Sequence, residues 1–145
     1  MERFPLFISL QDRPVTVIGG GTVAQRRVRV LCQFGASVTV IAPECLPMPE
    51  GVQILCRPYA PGDLDGAFLA VAATDSRQVN GQVAREAAQK RIPVSVADSP
   101  QESSFYFPAV CRGSGLVAGV VSQGTMHKKT ARAARAIREI LEDLP

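Results

Sequence analysis

The β-branched run Val15-Thr16-Val17-Ile18 passes directly into Gly19-Gly20-Gly21-Thr22-Val23-Ala24, then into the helix-compatible Gln25-Arg26-Arg27-Val28-Arg29-Val30-Leu31. A second β run, Ser37-Val38-Thr39-Val40-Ile41, follows and completes a βαβ unit. This order constrains the fold more than any other feature of the chain. In a G-x-G-x-x-A turn the first glycine (Gly19) reverses the chain, and the second (Gly21) omits a Cβ that would block a pyrophosphate. Ala24 is small enough for the helix to pack closely on the strand. The helix start then presents free N–H groups and a partial positive charge, which Thr22 and Val23 carry to the ligand. A glycine motif alone would also suit an ordinary turn. Strand before and helix and strand after point to a dinucleotide site.

The remainder keeps the alternation. The first helix is expected from about Val23 to Phe34, ended by Gly35. After Ile41 a proline-spaced loop (Pro43, Pro47, Pro49) leads to the short strand Val52–Leu55. The wholly apolar Ala67–Ala73 suits a parallel strand covered on both faces. Asp75 or Ser76 can cap the next helix, which runs to about Lys90. Pro93–Ala97 is a fifth strand, Phe105–Val110 and Gly115–Ser122 two more, and Lys128–Leu144 a final helix. The expectation is α/β: a Rossmann-type, doubly wound, mostly parallel sheet with right-handed crossovers.

Composition narrows the function classes. The chain of 145 residues is 46% hydrophobic and 20% charged, ordinary for one packed domain. It has no Trp, 6% aromatics and a net charge of +3, so nucleic acid is not an expected partner. No apolar run approaches a membrane span and no signal peptide opens the chain, which therefore reads as cytoplasmic. Cys32, Cys45, Cys56 and Cys111 form no C-x-x-C pair, and the single histidine, His127, stands apart; no metal site is expected.

In an open α/β sheet, ligands occupy the crevice beyond the carboxyl ends of the strands. The residues there are Gly19, Gly21, Thr22 and Val23, then Pro43 and Glu44, Thr74 and Asp75, and Asp98 and Ser99. The acid that usually holds the ribose would fall at Ile41 or Ala42. Glu44 can substitute, or the backbone of Pro43 and Glu44. The lack of an arginine just after the second strand leans toward NAD rather than NADP. Asp75 and Asn80 are candidates for hydrogen bonds around the cofactor, Asp75 equally for a helix cap. Asp98 before Ser99-Pro100 suits a turn as well as an acid–base role. His127 reads as a solvated loop residue more readily than as an iron ligand or proton relay.

Four stretches resemble the bacterial precorrin-2 dehydrogenases, the N-terminal type of sirohaem synthase that often doubles as a sirohydrochlorin ferrochelatase. They are Phe4-Pro5-Leu6-Phe7, Val17–Ala24 with its basic helix, Ala72-Ala73-Thr74-Asp75 with Asn80, and Val96-Ala97-Asp98-Ser99-Pro100 leading to Ser104–Ala109. The resemblance implies an NAD-binding Rossmann domain over residues 1–113 and a strand–helix dimerisation segment over 114–145. It implies oxidation of precorrin-2 to sirohydrochlorin with NAD, Asp98 as the key acid, and a homodimer. Ser122, Gly124, Thr125 and Lys128 then fall where substrate binds.

A substrate rich in carboxylates suits a basic surface. Arg112, Lys128, Lys129, Arg132 and Arg135 are available, although a solvated face beside the apolar stripe Ala133, Ile137, Ile140 and Leu144 explains them equally. The loop after Ser122 departs from the family's Gly-Gly, small residue, Ser-Pro pattern and reads Gln123-Gly124-Thr125-Met126-His127-Lys128-Lys129. That departure leaves ferrochelation open. The family's further helical domain is not found before Pro145, so a minimal form or a partner chain completing the pocket is expected. The rival expectation is a non-catalytic Rossmann module that binds nucleotide or tetrapyrrole for a partner enzyme.

Overall fold

The computed structural model describes residues 2–124 and 126–145. Five strands, β1 (Pro14–Ile18), β2 (Ser37–Ile41), β3 (Gln53–Leu55), β4 (Leu69–Ala72) and β5 (Val94–Val96), form one parallel sheet in the order β3-β2-β1-β4-β5. Two helices complete the crossovers around it, α1 (Thr22–Gln33) after β1 and α2 (Arg77–Lys90) after β4. The strand order reverses at β1, so the crevice between β1 and β4 is the topological switch point. The register pairs Ile18 with Ile41 and Ala72, Ile41 with Leu55, and Ala72 with Val96. All five strands therefore end level, and the turns that follow them share one edge.

The inner strands are apolar because both faces are covered. Val15, Val17, Val40, Ala70, Val71 and Ala72 are fully buried. One core cluster joins Ile18, Ile41, Ala72 and Val96 to Val83, Ala84 and Ala87 of α2. The connection from β3 to β4 forms no helix; it drops Leu64, fully buried, into that cluster. Its backbone N–H groups need partners, and Glu86 of α2 supplies them. Its carboxylate accepts from Gly62 N–H (2.7 Å), Leu64 N–H (2.8 Å) and the Tyr59 hydroxyl (2.7 Å).

The chain divides into two compact units, residues 9–106 and residues 1–8 with 107–145. The boundary precedes β6 (Ala109–Gly113) instead of following Gly113, because β6 has its partner in β7 (Leu116–Val120), in an antiparallel pair separate from the large sheet. α3 (His127–Glu142) packs on that pair through Ala134, Ile137 and Leu141, around the buried Cys111. The expected stripe was only partly right. Ala134 and Leu141 take the buried line with Ile137, whereas Ile140 is 61% and Leu144 41% exposed. Positions 134, 137 and 141 keep the i, i+3, i+7 spacing of one helical face, and 140 and 144 lie beside it. All four cysteines are free, Cys56 exposed and Cys111 buried. No helix among the described residues is long and apolar enough to cross a membrane.

Candidate dinucleotide site

The turn after β1 is built by its glycines. Gly19 has φ +127°, and a Cβ there would lie 2.2 Å from the Ala73 carbonyl oxygen, so the turn after β4 can press directly on the turn after β1. Gly19 N–H also donates to Ile41 O (3.0 Å), and Ala73 N–H to Ile18 O (2.8 Å). A Cβ on Gly20 would meet Glu44 O at 2.3 Å and Cys45 Cα at 2.8 Å, which brings the loop after β2 against the turn. Leu46 N–H then bonds Gly20 O (2.8 Å), and Gln25 Nε2 bonds Pro47 O (2.7 Å). The exposed Pro43 and Glu44 are thereby held beside the glycine turn.

Gly21 differs. A Cβ there would meet nothing within 4 Å. Gly21 is also the N-cap of α1, extended at φ −87° and ψ −163°, with no side-chain cap and no acid in the first turn. The exposed Thr22 and Val23 form that turn, and Ala24 behind them is fully buried against the sheet. A helix start left uncapped beside open space fits a diphosphate, which supplies the missing acceptors. Gly21→Ala is expected to leave the unfolding midpoint unchanged and to weaken dinucleotide binding by about tenfold or more, since a methyl would fill only ligand space. Fluorescence titration with the dinucleotide checks this, and unaltered affinity would place the diphosphate elsewhere.

The turn after β4 is fixed from below. Asn80 is fully buried; its Oδ1 accepts from Thr74 N–H (3.1 Å) and from the Thr74 hydroxyl (2.6 Å), and its Nδ2 donates to Thr74 O (3.1 Å). Ser76, not Asp75, caps α2 by accepting from Val79 N–H (3.2 Å). Asn80 is thus spent on holding Thr74 instead of reaching toward a ligand, and Asp75 is left exposed. Arg27 of α1 reaches Ser95 Oγ of β5 (3.1 Å), and burial, then the neighbouring Arg26, lowers its pKa.

Asp98 lies in the turn after β5, two strand spacings or about 10 Å along the sheet edge from the glycine turn's strand. Its Oδ1 accepts from Arg77 Nη1 (2.7 Å), and Arg77 Nη2 meets Glu102 Oε1 (2.8 Å). Sequence reading missed both partners, because the contacts span 21 and 25 residues. Ser103 and Ser104 cover the outer edge of β5, accepting from Val96 N–H and Val94 N–H at 2.9 Å each.

Gly19, Gly21, Thr22, Val23, Pro43, Glu44, Thr74 and Asp98 all belong to the unit of residues 9–106. Ser122, Gly124 and Lys128 belong to the other, and Thr125 lies outside the described residues. Ser122 Oγ donates to Gly124 O (2.7 Å), and Ser122 O accepts from Arg3. A groove of about 260 Å³ runs beside them, lined by Val120, Val121, Met126, Lys129 and Ala133. His127 is the exposed first residue of α3, followed by the exposed Lys128 and Lys129. No three His, Cys, Asp or Glu side chains among the described residues converge as metal ligands.

Residues 6–109 match the family described as "Putative NAD(P)-binding". The siroheme synthase of Methylobacillus flagellatus is 42% identical over 150 residues, covering 99% of this chain and 31% of that protein. The siroheme synthase of Pseudomonas aeruginosa is 41% identical over 148 residues, covering 98% of this chain and 31% of that protein. A solved structure described as SirC, precorrin-2 dehydrogenase, is similar with a TM-score of 0.77 at 25% identity, over 97% of this chain and 72% of that one. The chain spans about a third of the length of the siroheme synthases it matches.

Proposed function

The chain belongs to the NAD(P)-binding family that residues 6–109 match, and from that premise we propose that it oxidises precorrin-2 to sirohydrochlorin with NAD. The observation that carries the proposal is the open space at Gly21 in front of an uncapped helix, at the switch point of a parallel sheet. Gly21, Thr22 and Val23 hold the diphosphate, Pro43 and Glu44 the adenosine ribose, and Thr74 the far side of the crevice. A nicotinamide bound in this crevice would supply the acceptor for the hydride that leaves a C–H of the substrate. Asp98 takes the proton from the adjoining N–H, which balances the two-electron oxidation. The relatives named siroheme synthase and precorrin-2 dehydrogenase support the choice of substrate.

NAD is favoured over NADP by what surrounds the end of β2. Ile41 and Ala42 are buried there and bring no charge. Arg57, just beyond β3, is committed to Asp63 through contacts of 2.9 and 2.8 Å. The residues Ile41-Ala42-Pro43-Glu44 at the end of β2 would offer a 2′-phosphate no cation. Ser122, Gly124, Thr125 and Lys128 are the residues the resemblance offers for the substrate's carboxylates. The second unit's exposed Ile140, Leu144, Leu116 and Val117 suit a homodimer in the cytoplasm.

Incubation of the purified chain with precorrin-2 and each dinucleotide, followed by absorbance, tests the reading. Sirohydrochlorin should form with NAD, with kcat/KM about tenfold or more above that with NADP. Parallel runs with ferrous iron report chelation. Dinucleotide binding with no oxidation of precorrin-2 would make the chain a binding module.

A further inference from the structure

We propose that Arg77 is a positioning residue for the acid: its guanidinium, anchored on Glu102, fixes the Asp98 carboxylate in the orientation that receives the substrate's proton. The inference rests on the role given to Asp98 above. Arg77 is the first residue of α2, reaching Asp98 Oδ1 at 2.7 Å with one nitrogen and Glu102 at 2.8 Å with another. A planar guanidinium held at both ends loses its freedom to swing, and so does the carboxylate it grips.

Helix stability does not account for Arg77. A cation in the first turn opposes the helix dipole. The three side chains are 49%, 42% and 39% exposed, and ion pairs at that exposure contribute little to folding. Nor does the loop need the arginine as a tether. Ser103 and Ser104 already fasten residues 99–104 to β5 by accepting from Val96 N–H and Val94 N–H, and Ser103 Oγ also donates to Ser99 O within the segment. What Arg77 adds is the direction of one carboxylate.

Its own base is fixed independently. The buried Asn80 clamps Thr74, and the Ser76 cap starts α2 from that clamp. One turn on, Gly81 lies beneath the charged heads. A Cβ there would stand 3.7 Å from Arg77 Nη2, 3.8 Å from Glu102 Oε2 and 3.5 Å from Arg85 Nη1. Arg85 thus brings a second cation to the same helix face, while Asp98 is gripped by Arg77.

The test compares Arg77→Met, Arg77→Lys, Asp98→Ala and the Arg77→Met/Asp98→Ala double variant, with precorrin-2 and NAD. Arg77→Met should lower kcat about tenfold, the scale of a misplaced catalytic group, with the KM for NAD and the melting temperature unchanged. Arg77→Lys should recover only part of that loss, because one ammonium cannot grip Asp98 and Glu102 together as the planar fork does. In the Asp98→Ala background, Arg77→Met should change nothing further, the signature of two residues acting as one unit. If Asp98→Ala is inactive while Arg77→Met keeps full kcat, or if the double variant is slower than Asp98→Ala, the inference fails alone. If Asp98→Ala stays active, or the parent chain does not turn over, the reading of Asp98 fails and Arg77's role with it.

Discussion

Asp98→Ala is expected to lower kcat for precorrin-2 oxidation by about 10²- to 10⁴-fold, the usual contribution of a positioned general base. Dinucleotide affinity should not move, because the diphosphate contacts belong to the turn after β1 and Asp98 follows β5. Folding should hardly change either: the Asp98–Arg77 pair is largely exposed, and such pairs contribute about 0–1 kcal/mol. Asp98→Asn sharpens the test. An amide oxygen can still accept from Arg77, so the geometry persists while the basic site is gone. Absorbance-monitored turnover beside a dinucleotide titration reads both quantities. Wild-type kcat in Asp98→Asn would move the proton to another acceptor and leave Asp98 as a turn residue.

What the sequence revealed and what it concealed divide by distance along the chain. Gly19, Gly21 and Ala24 act within one turn, and the β-branched runs around them settle the pairing of neighbouring strands. The doubly wound sheet was therefore legible. The pairs Arg77–Asp98 and Tyr59–Glu86 join residues 21 and 27 apart. No local pattern announces a partner that only the crossovers bring near. Gly20 was overlooked for the same reason: its neighbour is the Glu44 carbonyl from the following loop. The cap of α2 was open between Asp75 and Ser76, and hydroxyl geometry at Val79 N–H decided it. On α3, small residues at 133 and 134 give no hydrophobic contrast, so which adjacent face meets β6 and β7 depends on the sheet.

Glu86→Ala is expected to destabilise the fold by about 3–5 kcal/mol, the cost of breaking a buried charged network from one side. The residue is 7% exposed, and its removal strands the Gly62 and Leu64 N–H groups and the Tyr59 hydroxyl. Lys90, whose pKa is raised first by its bond to Asp65, lies at 3.3 Å on the exposed side and cannot replace those bonds. Tyr59→Phe removes one donor and should cost about 1 kcal/mol.

Acid should reproduce the loss. Burial by itself would raise the Glu86 pKa, but bonds from Tyr59, Gly62, Leu64 and Lys90 outweigh it and hold the carboxyl below its usual 4.5. A group with a depressed folded pKa contributes its full stability above the unfolded value and loses it as pH falls through the folded value. Burial, then the hydrogen bond to Glu86 and its charge, push the Tyr59 phenol above its ordinary range, so the same bond weakens again in strong alkali. Urea unfolding at pH 7 and below pH 4 should show the parent losing stability on acidification and Glu86→Ala losing less. Equal slopes in the two proteins would mean that Glu86 does not report the acid sensitivity of the fold. A stability change under about 1 kcal/mol at pH 7 would mean that the segment from Tyr59 to Leu64 finds its partners elsewhere.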